Sequence, residues 1–134
     1  MTTNPDMPPE FYLPLRSVQA AGAMRRLGAE MAAVGLEGPV LIVAGATPIA
    51  RLAPVWAASL EDVGMAHRVR LFGGESSQPE IAAIVEEARS LGARTIVAAG
   101  EDILIDAAQS AAAALRLPFV PCPTSCSADP SISS

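Results

Sequence analysis

At 134 residues the chain has room for one hydrophobic core, and a single domain is the expected organisation. Half of its residues are apolar but only 4% are aromatic, so that core is built from Ala, Val, Leu and Ile rather than from large rings. A net charge of -5 with a pI near 4.7 repels phosphate backbones and anionic bilayers, and no basic patch offsets it, which argues against nucleic acid and membrane as partners.

In chain order, residues 1–14 carry Pro5, Pro8, Pro9 and Pro14, a density that blocks helix and central strand and predicts a flexible arm. With Asp6 and Glu10 and no apolar core, this start does not read as a secretory signal, and the cytoplasm is the expected compartment. The folded domain is predicted to occupy residues 15–134. Ala21 to Val34 has helical spacing with Met24, Leu27 and Met31 on one face, stopped by Gly35. Pro39 to Ala44 is a continuous apolar run, the pattern of a strand buried on both faces, with a turn at Gly45. Pro48 to Val63 reads as an amphipathic helix bearing Leu52, Val55, Trp56, Ser59 and Leu60 on its buried stripe, and His67 to Phe72 as a strand. Ser77 can cap a helix that starts with Pro79 and buries Ile81, Ile84, Val85 and Ala88. Arg94 to Ala99 is a further strand, Asp102 to Leu115 an Ala-rich helix too short to span a bilayer, and Pro118 to Pro121 a last strand.

Strands and helices therefore alternate, and an α/β fold follows: a Rossmann-like parallel sheet with helices on both faces. Ligands in such folds bind beyond the C-terminal strand ends, here the loops Gly45 to Thr47, Gly73 to Ser76, Gly100 to Asp102 and Thr124 to Asp129. All nine cations are Arg and none is Lys, so no Schiff-base or P-loop lysine exists in this sequence. Cys122 and Cys126 are expected as free thiols, too few for a disulfide framework and without a second Cys/His cluster for zinc. His67 is the sole histidine; it reads as a surface or edge residue, with no reason to meet Cys122 or Ser127 in a catalytic arrangement. Glu101, Asp102 and Asp129 share the expected rim, where carboxylates can do acid–base work, bridge a divalent ion, or simply stand solvated.

The segments QAAGAM (Gln19 to Met24), GPVLIVAG (Gly38 to Gly45), FGGESS (Phe72 to Ser77) and PTSCSADPS (Pro123 to Ser131) together resemble the N-terminal domain of the iron-containing alcohol dehydrogenase superfamily, most closely its glycerol dehydrogenase branch. The resemblance implies a parallel α/β domain that holds NAD at its strand ends. It also implies a Gly-Gly-Gly-Lys/Ser run whose bare amides approach the diphosphate at a helix start. Aligned through Asp106, Ala107 and Ala108, this chain has Gly100-Glu101-Asp102-Ile103 there instead. Like charges at about 4 Å cost on the order of 4 kcal/mol at an effective dielectric of 20, roughly three decades of affinity. The same two acids also suit a helix N-terminus with no function at all.

The resemblance further implies an acidic ribose anchor after the first strand, where this chain has Gly45. Thr124 and Ser127 match hydroxyls that line the family's cofactor crevice, and Asp129 matches a substrate- or metal-site carboxylate; loop capping explains all three equally well. The family's metal ligands come from a helical second domain with no counterpart in this sequence. The crevice Gly45, Gly100, Glu101, Asp102, Thr124, Ser127 and Asp129 is thus expected to be vestigial, with no cofactor, metal or catalytic residue. Without the second domain's cover, the sheet's C-terminal rim and the Ala-rich helix Asp102 to Leu115 are expected to lie exposed, and the leading expectation is a truncated, non-catalytic companion that binds a full-length dehydrogenase paralogue or a peptide, with a homo-oligomer also open. By analogy, peptide recognition in ribosomal-peptide biosynthesis of the daptide type is one such role. The alternative is the NAD-binding half of a split oxidoreductase.

Overall fold

The computed structural model describes residues 25–123. Helix α1 (Leu27–Ala33) leads into strand β1 (Val40–Ala44), then α2 (Ala46–Asp62), β2 (His67–Leu71), α3 (Gln78–Leu91), β3 (Thr95–Gly100), α4 (Asp102–Leu115) and β4 (Phe119–Pro123). All four strands are parallel, in the order β2-β1-β3-β4. Every predicted element within the described residues is present. The predicted arm, the QAAGAM segment with Met24, and Thr124, Cys126, Ser127 and Asp129 lie outside them.

The pleat divides one strand between two cores. Val40, Ile42 and Ala44 join Leu27, Met31, Trp56 and Leu60 on the side of α1 and α2. Leu41 and Val43 join Ile84, Ala88, Leu104, Ala107 and Ala108 on the side of α3 and α4. Successive strand residues point to opposite faces, so a β1 apolar at every position is what a sheet covered on both sides requires. β2 differs from β1. Its sequence HRVRL is half-buried or exposed at each position, as suits a strand with one sheet neighbour.

Local signals explain the helix ends. Ser77 Oγ accepts from Glu80 N–H at 3.3 Å, Pro79 sits in the first turn, and Gly92 closes α3 at φ 74°, the left-handed region a glycine enters without strain. α2 starts at Ala46, two residues before the predicted Pro48. The reason is that Pro48, lacking an N–H, fits the first turn as well as the first position, and Gly45 supplies the extended cap residue. Pro54 interrupts the same helix on its exposed side, where the freed carbonyl can meet water.

α1 crosses α2 at close range. Gly28 N–H donates to Ser59 Oγ at 2.7 Å, which satisfies a first-turn amide that α1 itself cannot pair. A Cβ at Gly28 would lie 2.3 Å from the Ser59 carbonyl oxygen, so only glycine permits this approach. Gly28→Ala is expected to lower stability by roughly 1–3 kcal/mol through forced separation of the helices. Ser59→Ala should cost about 1–3 kcal/mol through the orphaned buried amide. Urea unfolding of both variants checks this, and a neutral Gly28→Ala would contradict the close crossing.

Cys122 is fully buried in β4, and burial pushes its thiol up to about 12. Its neutral form is retained in the folded state while the unfolded thiol ionises near its ordinary value, so the associated stability is complete below about pH 9 and lost as pH rises toward 12. Iodoacetamide at pH 8 is expected to leave Cys122 unmodified in native protein and to alkylate it after unfolding, read by peptide mapping.

Candidate functional site

The strand order sets the site. From β1 the chain turns through α2 to β2 on one side, and from β3 it turns through α4 to β4 on the other. The two connections diverge between β1 and β3, the place where α/β sheets open a crevice. Gly45 and Gly100 meet there, with Gly45 N–H donating to Ala99 O at 3.4 Å. The expected convergence of these two loops is present.

The two helix starts flanking the crevice differ in chemistry. At α2, Gly45 is extended and no acid lies in the first turn; a Cβ at Gly45 would meet only Pro48 Cδ, at 3.6 Å. At α4, Glu101 is the cap residue, with no side-chain capping bond, and Asp102 opens the helix. Both acids are exposed and, among the described residues, neither forms an ion pair. Leu104 N–H and Ile105 N–H each donate to Glu101 O at 3.0 Å, leaving Asp102 and Ile103 to present the first free amides. Gly100 gives no open cradle either, because a Cβ there would lie 2.7 Å from Leu104 Cδ1. The donor set of a diphosphate site is bare amides with cationic or small neighbours, and two carboxylate side chains stand here instead. Solvent screens them, so the repulsion is smaller than for a buried pair, and their bulk adds to it.

The loop after β2 reaches the same rim. Ser76 Oγ donates to Asp106 Oδ2 of α4 at 3.1 Å. A shallow cavity of about 230 Å³ opens beside it, lined by Gly73, Glu75, Ser77, Pro79 and Glu80. Through Glu80 the cavity adjoins a charge cluster that the sequence reading missed. Arg70 binds Glu87 through Nη1 at 2.9 Å and Glu80 through Nη2 at 3.4 Å, while Glu80 also accepts from Gly73 N–H at 2.9 Å. Arg68 reaches Glu87 at 3.6 Å. The signal was available: Arg68 and Arg70 are two apart on a strand and Glu80 and Glu87 seven apart on a helix, so each pair shares a face. Glu80 and Glu87 are thereby occupied and Ser77 caps α3, so Glu75 is the polar side chain of the cavity lining left without such a role.

His67 stands at the first residue of β2, at the opposite end of the strands from the rim, as expected of an edge residue. Among the described residues no group of three or more His, Cys, Asp or Glu side chains is arranged to hold a metal ion, and no helix is long and apolar enough to cross a membrane. The expectation that α4 would lie uncovered is corrected. Leu104, Ala107, Ala108, Ala111 and Ala112 are buried against the sheet and α3, because the helix spends its apolar face within its own domain. Among the described residues, the large apolar side chains that do remain exposed are Leu71 (58%) and Ile103 (46%), both on the rim.

The model of the iron-containing alcohol dehydrogenase family matches residues 14–134. Glycerol dehydrogenase from Schizosaccharomyces pombe shares the fold with a TM-score of 0.67 at 23% identity, over 84% of this chain and 27% of its own. A probable glycerol dehydrogenase from Sinorhizobium meliloti gives 0.65 at 23% identity, over 77% and 26%. Maleylacetate reductase from Agrobacterium tumefaciens gives 0.64 at 17% identity, over 77% and 29%. The chain thus spans less than a third of the length of each of these proteins. No curated protein sequence matches it. With the family model covering nearly the whole sequence and the sheet of the same fold, the chain belongs to the iron-containing alcohol dehydrogenase family.

Proposed function

We propose that this domain is a non-catalytic, cytoplasmic companion of the dehydrogenase type, which binds a partner polypeptide, either a full-length dehydrogenase paralogue or a peptide, and holds no dinucleotide. The observation that carries this reading is the pair Glu101 and Asp102 at the start of α4, on the crevice between β1 and β3. A diphosphate seated at that helix start would face two carboxylates in place of bare amides. The exposed Leu71 and Ile103 on the same rim support a protein contact, since apolar side chains at a rim are what a partner covers.

A second reading, the NAD-binding half of a split oxidoreductase, draws on the other helix start, where α2 has a glycine cap and no acid in its first turn. Calorimetric titration with NADH separates the two. The unaltered chain is expected to show no saturable binding below millimolar ligand, and Glu101→Gly with Asp102→Gly should gain roughly tenfold or more, the effect of removing about 1.4 kcal/mol of repulsion. Micromolar binding by the unaltered chain would overturn the companion reading in favour of the split enzyme.

A further inference from the structure

The sheet has two edges, and they are not equivalent. On β2, Val40 N–H donates to Ala66 O at 2.8 Å and Phe72 N–H donates to Ala44 O at 2.9 Å. In a parallel ladder those two bonds fix the alternation: residues 66, 68, 70 and 72 bond to β1, while the N–H and C=O groups of His67, Val69 and Leu71 point away from it. No described strand pairs with that outer row. On β4, Ile96 N–H donates to Pro118 O at 3.0 Å, which by the same alternation turns Phe119, Pro121 and Pro123 outward. Two of these three have no N–H to offer. Among the described residues, the β4 edge is blunted and the β2 edge is open.

We infer that the outer edge of β2 is the docking site for the partner, which adds there as an extended strand with acidic and apolar residues in alternation. The inference rests on the partner-binding reading above and names its contact. Charge selects the occupant. Arg68 and Arg70 bring two cations to β2; Arg70 is taken up by Glu80 and Glu87 at 3.4 and 2.9 Å, which leaves Arg68 as the less committed charge. Arg68 is 44% exposed and only 3.6 Å from Glu87, so its guanidinium has donors to spare for an acid on the adjoining strand. On the other face Val69 packs at the border of the core and Leu71 is 58% exposed, which suits apolar residues at the alternate positions. A second copy of this chain is disfavoured, because antiparallel pairing about Val69 sets Arg68 opposite Arg70 of the other copy, and like charges directly opposite destabilise a strand pair.

The test uses the whole chain, isotope-labelled, and a blocked synthetic peptide of alternating valine and glutamate. Saturable amide shifts centred on His67, Val69 and Leu71 are expected, absent with the valine–lysine peptide and with a fully N-methylated valine–glutamate peptide. Arg68→Ala should weaken binding roughly two- to fivefold, the size of a cross-strand charge pair. Val69→Pro, which removes an outward N–H only, should abolish it with the circular dichroism spectrum retained; if that variant fails to fold, the N-methylated peptide still decides. No shifts at millimolar peptide, equal binding of the lysine peptide, or shifts at Ile103 or Phe119 instead would overturn the edge assignment while leaving the companion reading in place. Failure of the companion reading itself would show in the NADH titration, independently of the peptide.

Discussion

Burial of β1 on both faces is the constraint from which the rest of the structure follows. Val40, Leu41, Ile42, Val43 and Ala44 have no exposed surface, and each large side chain among them gains roughly 1.5–3 kcal/mol by leaving water. Five consecutive apolar residues cannot all be buried in a sheet with one wet face, so helices must cover both. β1 is therefore central, flanked by β2 and β3, and the connections that leave β1 and β3 run in opposite directions. That divergence brings Gly45 and Gly100 side by side and makes the crevice.

The proposed companion role rests on a few side chains rather than on the backbone. The helix start that would receive a diphosphate carries Glu101 and Asp102, and the space above Gly100 is taken by Leu104. Meanwhile the arginines sit elsewhere, on the β2 edge, with Arg70 committed to Glu80 and Glu87. The charge distribution thus gives an acidic corner at the crevice and, at the sheet edge, arginines balanced by Glu80 and Glu87 with Arg68 the more exposed of the two. Family membership fixes the fold and leaves the function to those side chains.

The elements were legible in the sequence because their periodicities were strong: the run from Val40 to Ala44 for the central strand, Ile84 and Ala88 for α3, and the Ser77 to Gly92 caps. The convergence of Gly45 with Gly100 followed from topology alone. What was not legible depends on which strand lies at an edge. HRVRL alternates like any half-buried strand, and only the observed order shows that no described strand pairs with its outer row and that Pro121 and Pro123 silence the opposite one. The Arg70 cluster was missed because its members lie 10 and 17 residues apart and each looks like an ordinary surface charge. The covering of α4 was misjudged for a related reason, since an Ala-rich helix packs closely enough on its own sheet to hide the surface that the sequence left open.

In the proposed role the α4 start does not accept a dinucleotide, and co-crystallisation with NAD at millimolar concentration puts this to the proof. The expected result is electron density showing the Glu101 and Asp102 side chains at the mouth of the crevice with no diphosphate against the amides of Asp102 and Ile103. Continuous density for a diphosphate seated on that first turn, with the two carboxylates swung aside, would contradict the account.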